Sequence, residues 1–110
     1  MSCSYNTLYI GPEGYVVRCK ECGHYRVAFI STELTLSEDS FQEFFRKVAH
    51  FAGMYNAANS SNVKSISIAT FADGIHLLLT SKEVQQLFLM LDTADNEMKA
   101  TELMNLFYSI

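Results

Sequence analysis

The residues best suited to chemistry are Cys19-Lys20-Glu21-Cys22-Gly23-His24, a Cys-x-x-Cys-Gly-His turn set between two segments of strand-like composition. In such a turn successive backbone N–H groups can point at the first sulfur, and glycine permits the positive φ that closes the knuckle. Two thiolates held this way can bind one tetrahedral zinc ion at about 2.3 Å. The remaining cysteine, Cys3, supplies a third sulfur, and His24, two residues beyond Cys22, is the nearest fourth donor. The expected ligand set is therefore Cys3, Cys19, Cys22 and His24 around one zinc ion, or the three cysteines with a water molecule. Two other readings stay open. The pair could serve a thiol oxidoreductase, although redox Cys-x-x-Cys motifs rely on a helix N-terminus and this one leads into strand-like Tyr25-Arg26-Val27. The three thiols could also be reduced and inert.

Other catalytic signatures are missing: the chain has no Gly-rich phosphate loop, no Gly-x-Ser-x-Gly elbow and no His-Glu-x-x-His helix. Glu38-Asp39 and Asp92 with Asp95 resemble paired carboxylates, but both fall where helix-end residues are expected. Arg18 and Arg26, as neighbours across a sheet, could hold an anion; a solvated sheet face is the default. His50 falls on the polar face of a helix, and His76 could reach the knuckle only if its hairpin approached the first one.

The elements that must position the knuckle follow from pattern. Tyr5 to Ile10 and Tyr15 to Cys19 are rich in β-formers and flank Gly11-Pro12-Glu13-Gly14, a hairpin turn. Pairing Ile10 with Tyr15 sets Leu8 against Val17 and Asn6 against Cys19, and extrapolates to Cys3 opposite Cys22. His24 to Ile30 and Glu33 to Leu36 read as further strands around a Ser31-Thr32 bend. Ser37 is an N-cap, with Glu38 and Asp39 at the positive end of a helix whose apolar face is Phe41, Phe44, Phe45, Val48, Ala52 and Tyr55. A loop from Asn56 to Asn62 follows. Val63 to Phe71 and Ile75 to Thr80 form a second hairpin through Ala72-Asp73-Gly74, a type I′ signal, with Ile66, Ile68, Thr70, Ile75, Leu77 and Leu79 on its packed face. Ser81 caps a second helix bearing Val84, Leu87, Phe88 and Leu91. Asp92-Thr93-Ala94-Asp95-Asn96 is read as a break before a third helix, Asp95 to Tyr108. The rival is one long helix along Val84, Leu87, Leu91, Ala94, Met98, Thr101, Asn105 and Tyr108.

These elements make a single α+β domain over residues 1–110: an antiparallel sheet of two hairpins plus one or two short strands, packed on two or three helices. Charged residues are only 18% and apolar ones 49%, so surplus apolar surface favours a homodimer or a protein partner, the C-terminal segment being the candidate surface. A net charge of -4 with only eight dispersed Lys and Arg argues against nucleic-acid binding. The first residues lack the pattern of a signal peptide, and no stretch reaches the roughly 18 apolar residues of a membrane span. The expectation is a cytoplasmic protein, in which thiols stay reduced and a metal role precedes a disulfide.

Cys19 to His24 resembles the knuckles of zinc-ribbon proteins over six residues. A ribbon needs a second knuckle, which this chain lacks, so ribbon functions do not carry over. Over the whole chain, Cys3, Tyr15-Val16-Val17, Cys19, Cys22-Gly23-His24, Ala28-Phe29 and Leu34-Thr35-Leu36 are similar to a family of small uncharacterised proteins from Bacteroidetes. That resemblance implies a fold and no activity. The leading expectation is a non-enzymatic, metal-stabilised interaction module, the alternatives being a homodimeric scaffold with inert cysteines and the thiol oxidoreductase.

Overall fold

The computed structural model describes residues 4–54 and 63–108; Cys3, Tyr55, the Asn56 to Asn62 loop and Ile110 lie outside the described residues. Four strands, β1 (Tyr5–Gly11), β2 (Gly14–Cys19), β3 (Tyr25–Phe29) and β4 (Thr32–Leu36), form an antiparallel meander in sequence order. Helix α1 (Glu38–Met54) follows, then a separate two-stranded hairpin, β5 (Ile66–Ala69) and β6 (His76–Leu79), and a final helix, α2 (Ser81–Tyr108). The fold is α+β, with two sheets where one was expected.

The meander begins as its composition dictates. Gly11 pairs with Gly14 across a two-residue turn, and a Cβ at Gly14 would overlap the Ala28 carbonyl of β3. Ile10 pairs with Tyr15 as expected, but the register shifts between Tyr9 and Thr7, so that Thr7 faces Val17, Asn6 faces Arg18 and Tyr5 faces Cys19. The pairing that set Leu8 against Val17 and Asn6 against Cys19 therefore fails beyond the irregularity, while the extrapolation to Cys3 opposite Cys22 lies outside the described residues. An extra residue in one strand moves every later partner by one, and no local sequence signal announces it.

The packed face of the meander carries Val16, Tyr25, Val27, Phe29 and Leu36, joined by Leu8 from β1. Tyr25 lies flat on Phe41 of α1, ring centroids 4.1 Å apart and 10° from parallel. Phe44 and Val48 continue the buried stripe of α1. The second hairpin adds Ile66, Ile68, Leu77 and Leu79 to the same cluster. Its pairing, Ile66 with Leu79 and Ile68 with Leu77, is two residues away from that expected. A two-residue slip preserves the face, so Ile66, Ile68, Leu77 and Leu79 pack as expected, whereas Ile75 is exposed and Thr70 lies outside the core, its hydroxyl donating to the Ile75 carbonyl at 2.8 Å. The turn is not type I′: Gly74 has φ 77° but Asp73 does not take positive φ.

Helix α2 runs unbroken through Asp92 to Asn96, which corrects the expected break and third helix. Ala94 packs in the core, and Asp95 is a bridge to α1 rather than a helix-end residue, accepting from Gln42 Nε2 at 3.0 Å and from Lys99 Nζ at 2.8 Å. The N-cap is Thr80 instead of Ser81. Glu83 N–H donates to Thr80 Oγ1 at 3.1 Å, and Thr80 N–H donates to Glu83 Oε1 at 2.8 Å, a reciprocal capping box. At α1 the expected cap is observed, Ser40 N–H donating to Ser37 Oγ at 3.2 Å.

Three outcomes test these local devices. Partial burial opposes the charge on Glu83, but the Lys64 ammonium and the Thr80 N–H outweigh it and hold the carboxyl below its usual range. A depressed folded-state pKa adds stability that is present above the unfolded value of about 4.3 and lost as pH falls through the folded one. Thr80→Ala should cost about 1 kcal/mol at neutral pH, and the stability gap between the protein and Glu83→Gln should close on acidification below about pH 4, read by thermal melts across pH. Ile30, exposed in the β3–β4 turn, takes φ 57°, a left-handed conformation that disfavours branched side chains. Ile30→Asn should stabilise by about 1 kcal/mol in urea titrations.

Candidate functional site

The Cys19 to His24 turn joins the end of β2 to the start of β3. Its backbone closes on itself: Cys19 N–H donates to the His24 carbonyl at 2.9 Å, Gly23 N–H to the Cys19 carbonyl at 3.0 Å, and Gly23 takes φ 77°. The Cys22 N–H points at Cys19 Sγ, 3.4 Å away. This is the arrangement expected of a thiolate knuckle, an N–H aimed at the first sulfur and a left-handed glycine closing the turn. Cys19 is buried at 2% exposure, while Cys22 and His24 are exposed.

Ser4 fastens the N-terminal strand to this turn at two points. Lys20 N–H donates to the Ser4 carbonyl at 2.8 Å, and Ser4 N–H donates to Glu21 Oε2 at 2.9 Å. The same Glu21 oxygen accepts from the Cys19 thiol at 3.3 Å. The Ser4 N–H, with the Cys19 thiol second, holds the Glu21 carboxyl below its usual range. Glu21 is a variable position of the motif, so spacing alone does not single it out.

Arg18 is the other residue whose role the pattern conceals. Alternation places it on the packed face, opposite Tyr25, whereas Arg26 lies opposite Val17 on the other face. The two arginines are not neighbours on one surface. The Arg18 guanidinium lies 5.1 Å from the Tyr25 ring centroid, donates from Nε to the Gly23 carbonyl at 3.1 Å, contacts Met98 Sδ at 3.1 Å, and reaches Glu38 and Glu102 at 3.6 Å each. Burial pushes the Tyr25 hydroxyl above its usual range, with the Arg18 charge working the other way. Arg26 instead stacks over Tyr5 at 5.2 Å and faces Glu33, which also accepts from the Tyr15 hydroxyl.

Between the knuckle and the later turns of α2 lies a cleft of about 490 Å³, lined by Asn6, Arg18, the Cys19 to Gly23 backbone and side chains, Met98, Thr101 and Asn105. His24 is not part of that lining. The second hairpin meets the meander at the far end of β3, where Phe29 and Ile30 share a groove with His76 and Leu77. His76 is 3.3 Å from Ser67 there, and His50 is exposed on α1 with its ring edge against Phe51. Neither joins the knuckle. Among the described residues no group of three or more His, Cys, Asp or Glu side chains converges as a metal site requires.

Arg18→Lys tests the clasp. A lysine keeps the charge but cannot stack on Tyr25 and donate sideways to Gly23 at once, so the change should cost about 1–3 kcal/mol in urea unfolding. An unaltered midpoint would leave the guanidinium no structural part.

Among the described residues no helix is long and apolar enough to cross a membrane. Neither the curated proteins nor the solved structures contain a match to the chain. A family model does match, over residues 1–110, and by that match the chain belongs to the family of unknown function DUF6686.

Proposed function

We propose that the protein is a non-enzymatic interaction module whose Cys19 to His24 knuckle is stabilised by one zinc ion. The observation that carries this reading is the backbone of the turn: the Cys22 N–H aimed at Cys19 Sγ at 3.4 Å and Gly23 at φ 77°. A turn with those features needs no rebuilding to present thiolates to a metal, so little ordering cost opposes binding. Cys19 and Cys22 form the core of the proposed site. Cys3 is the third ligand in this reading, because it directly precedes Ser4, whose carbonyl and amide are both fastened to the turn.

The fourth position has two candidates. His24 begins the strand that leaves the knuckle and would have to turn its exposed ring back to the sulfurs. Glu21 already has Oε2 at 3.3 Å from Cys19 Sγ, close to the roughly 3.5 Å edge between sulfur and oxygen in a tetrahedral zinc site. When Cys19 ionises, two anions stand at that separation. A divalent cation in place of the thiol proton relieves their repulsion.

The experiment is metal analysis of full-length protein purified without chelator. About one zinc per chain is expected, with loss of metal and a lowered melting temperature in Cys19→Ser and on chelation. Cobalt substitution then separates the fourth ligands, since Glu21→Gln or His24→Ala should alter the ligand-field bands only where the true ligand is removed. Metal-free protein with three titratable thiols would end this reading.

A further inference from the structure

The two sheets leave open edges beside each other. Cys19 N–H donates to the His24 carbonyl, so by alternation His24, Arg26 and Ala28 turn their backbone groups toward β2, while Tyr25, Val27 and Phe29 turn theirs toward β4. Their partners Leu36, Leu34 and Thr32 are thereby used within the sheet, and the N–H and C=O groups of Glu33 and Thr35 point away from it. In the second hairpin Thr70 N–H donates to the Ile75 carbonyl, which by the same alternation turns Leu77 and Leu79 toward β5 and leaves His76 and Leu78 facing outward. Among the described residues no backbone hydrogen bond joins β4 to β6.

The other edges are blunted. β1 carries the irregularity between Thr7 and Tyr9 and lies against α2, and on β5 the outward Ala69 carbonyl accepts from Lys47 Nζ at 3.1 Å. β4 has no proline, lysine or bulge, and its pairs with β3 run in uninterrupted register. Its single charge, on Glu33, is engaged by the Tyr15 hydroxyl and Arg26. An edge in that state is a template for another strand.

The space beside it has the walls of a groove. A hollow of about 290 Å³ separates β4 from Thr70, Phe71, Ala72 and Ile75, and another of about 280 Å³ separates the β3–β4 turn from β6. A third, small and apolar, is shared by Leu34 and Leu77 with Phe44 and Leu87 of the helices. Phe71 and Ile75 in the first hollow, and Ile30 and Leu78 in the second, are large apolar side chains left exposed.

We propose that an extended segment of a partner protein adds to β4 in this groove, antiparallel to it, pairing with the N–H and C=O groups of Glu33 and Thr35. The residue opposite Leu34 then turns its side chain inward over Phe44 and Leu87, so an aliphatic residue is required there, and its two neighbours face solvent. Backbone pairing supplies the affinity and this alternation the specificity. A helix has no free backbone groups to offer the edge. A second folded copy fits no better, because Phe71, Ala72 and Ile75 stand where the next strand of its sheet would have to lie. The groove gives the proposed interaction module its docking surface and rests on that half of the reading alone, since no knuckle residue lines it.

Selection of random ten-residue peptides against the immobilised full chain, followed by amide exchange with the strongest synthetic peptide, tests it. Enriched peptides should carry aliphatic residues at every second position and slow exchange of the Glu33 and Thr35 amides by about tenfold or more. Binding should fall about tenfold or more with Thr35→Pro, a proline tolerated at an outward edge amide. N-methylation of the peptide amides that face β4 should do the same, and no folding defect of the protein can imitate that result. Zinc content enters neither readout, so the two readings fail separately. Absence of enrichment overturns the proposal, as do bound peptides that leave the Glu33 and Thr35 amides unchanged. A dimer in sedimentation that protects those same amides would overturn it in favour of a second copy.

Discussion

A guanidinium at 17% exposure cannot be left unpaired, because an isolated charge in a poorly hydrated site costs several kcal/mol. Arg18 meets that demand by drawing on four separate pieces of the chain: the carbonyl of Gly23 in the knuckle, the ring of Tyr25 on β3, Glu38 at the start of α1, and Met98 with Glu102 on α2. These contacts differ in weight. The two glutamates are 60% and 54% exposed and 3.6 Å away, and such pairs contribute at most about 1 kcal/mol. The Gly23 carbonyl is a charge-assisted bond, and the Tyr25 face is itself held on Phe41, so these two carry most of the constraint. The position of the knuckle relative to the helices follows from them.

The same logic explains why α2 does not break where its sequence invites a break. Asp92, Thr93, Asp95 and Asn96 all favour caps and turns when solvated. Asp95 instead faces α1, where at 5% exposure it accepts from Gln42 and Lys99. Ending the helix there would strip Asp95 of both partners and expose Leu91 and Ala94. Tertiary burial outweighs a propensity difference of a few tenths of a kcal/mol per residue. Continuity has a consequence for the site, because only an unbroken helix carries Met98, Thr101 and Asn105 over the knuckle to close the cleft.

Features written locally were legible from the sequence. The Gly11-Pro12-Glu13-Gly14 turn, the Ser37 cap, the Phe41, Phe44 and Val48 stripe, and inward Ile66, Ile68, Leu77 and Leu79 of the second hairpin each depend on a few adjacent residues or on period alone, and each is observed. Features that depend on distant partners were not. The register shift near Leu8, the choice of Thr80 over Ser81 as cap, and the burial of Arg18 are settled by contacts made only after the chain folds. At the site, Cys19 and Cys22 stood out by residue type, whereas Glu21 did not, since its carboxylate acquires a role only when Ser4 folds back beside it.

The geometry of the knuckle also bears on which thiol chemistry suits it. A redox dithiol needs an accessible first sulfur, stabilised as thiolate by a helix N-terminus or a neighbouring cation. Cys19 ends a strand at 2% exposure, and its thiol donates to a carboxylate. An anionic neighbour disfavours a lone thiolate. It favours a thiolate shared with a divalent metal, because the metal neutralises both groups at once. The neutral thiol satisfies both contacts, donating to Glu21 while accepting from the Cys22 amide, whereas ionisation strengthens the amide contact and turns the carboxylate contact repulsive.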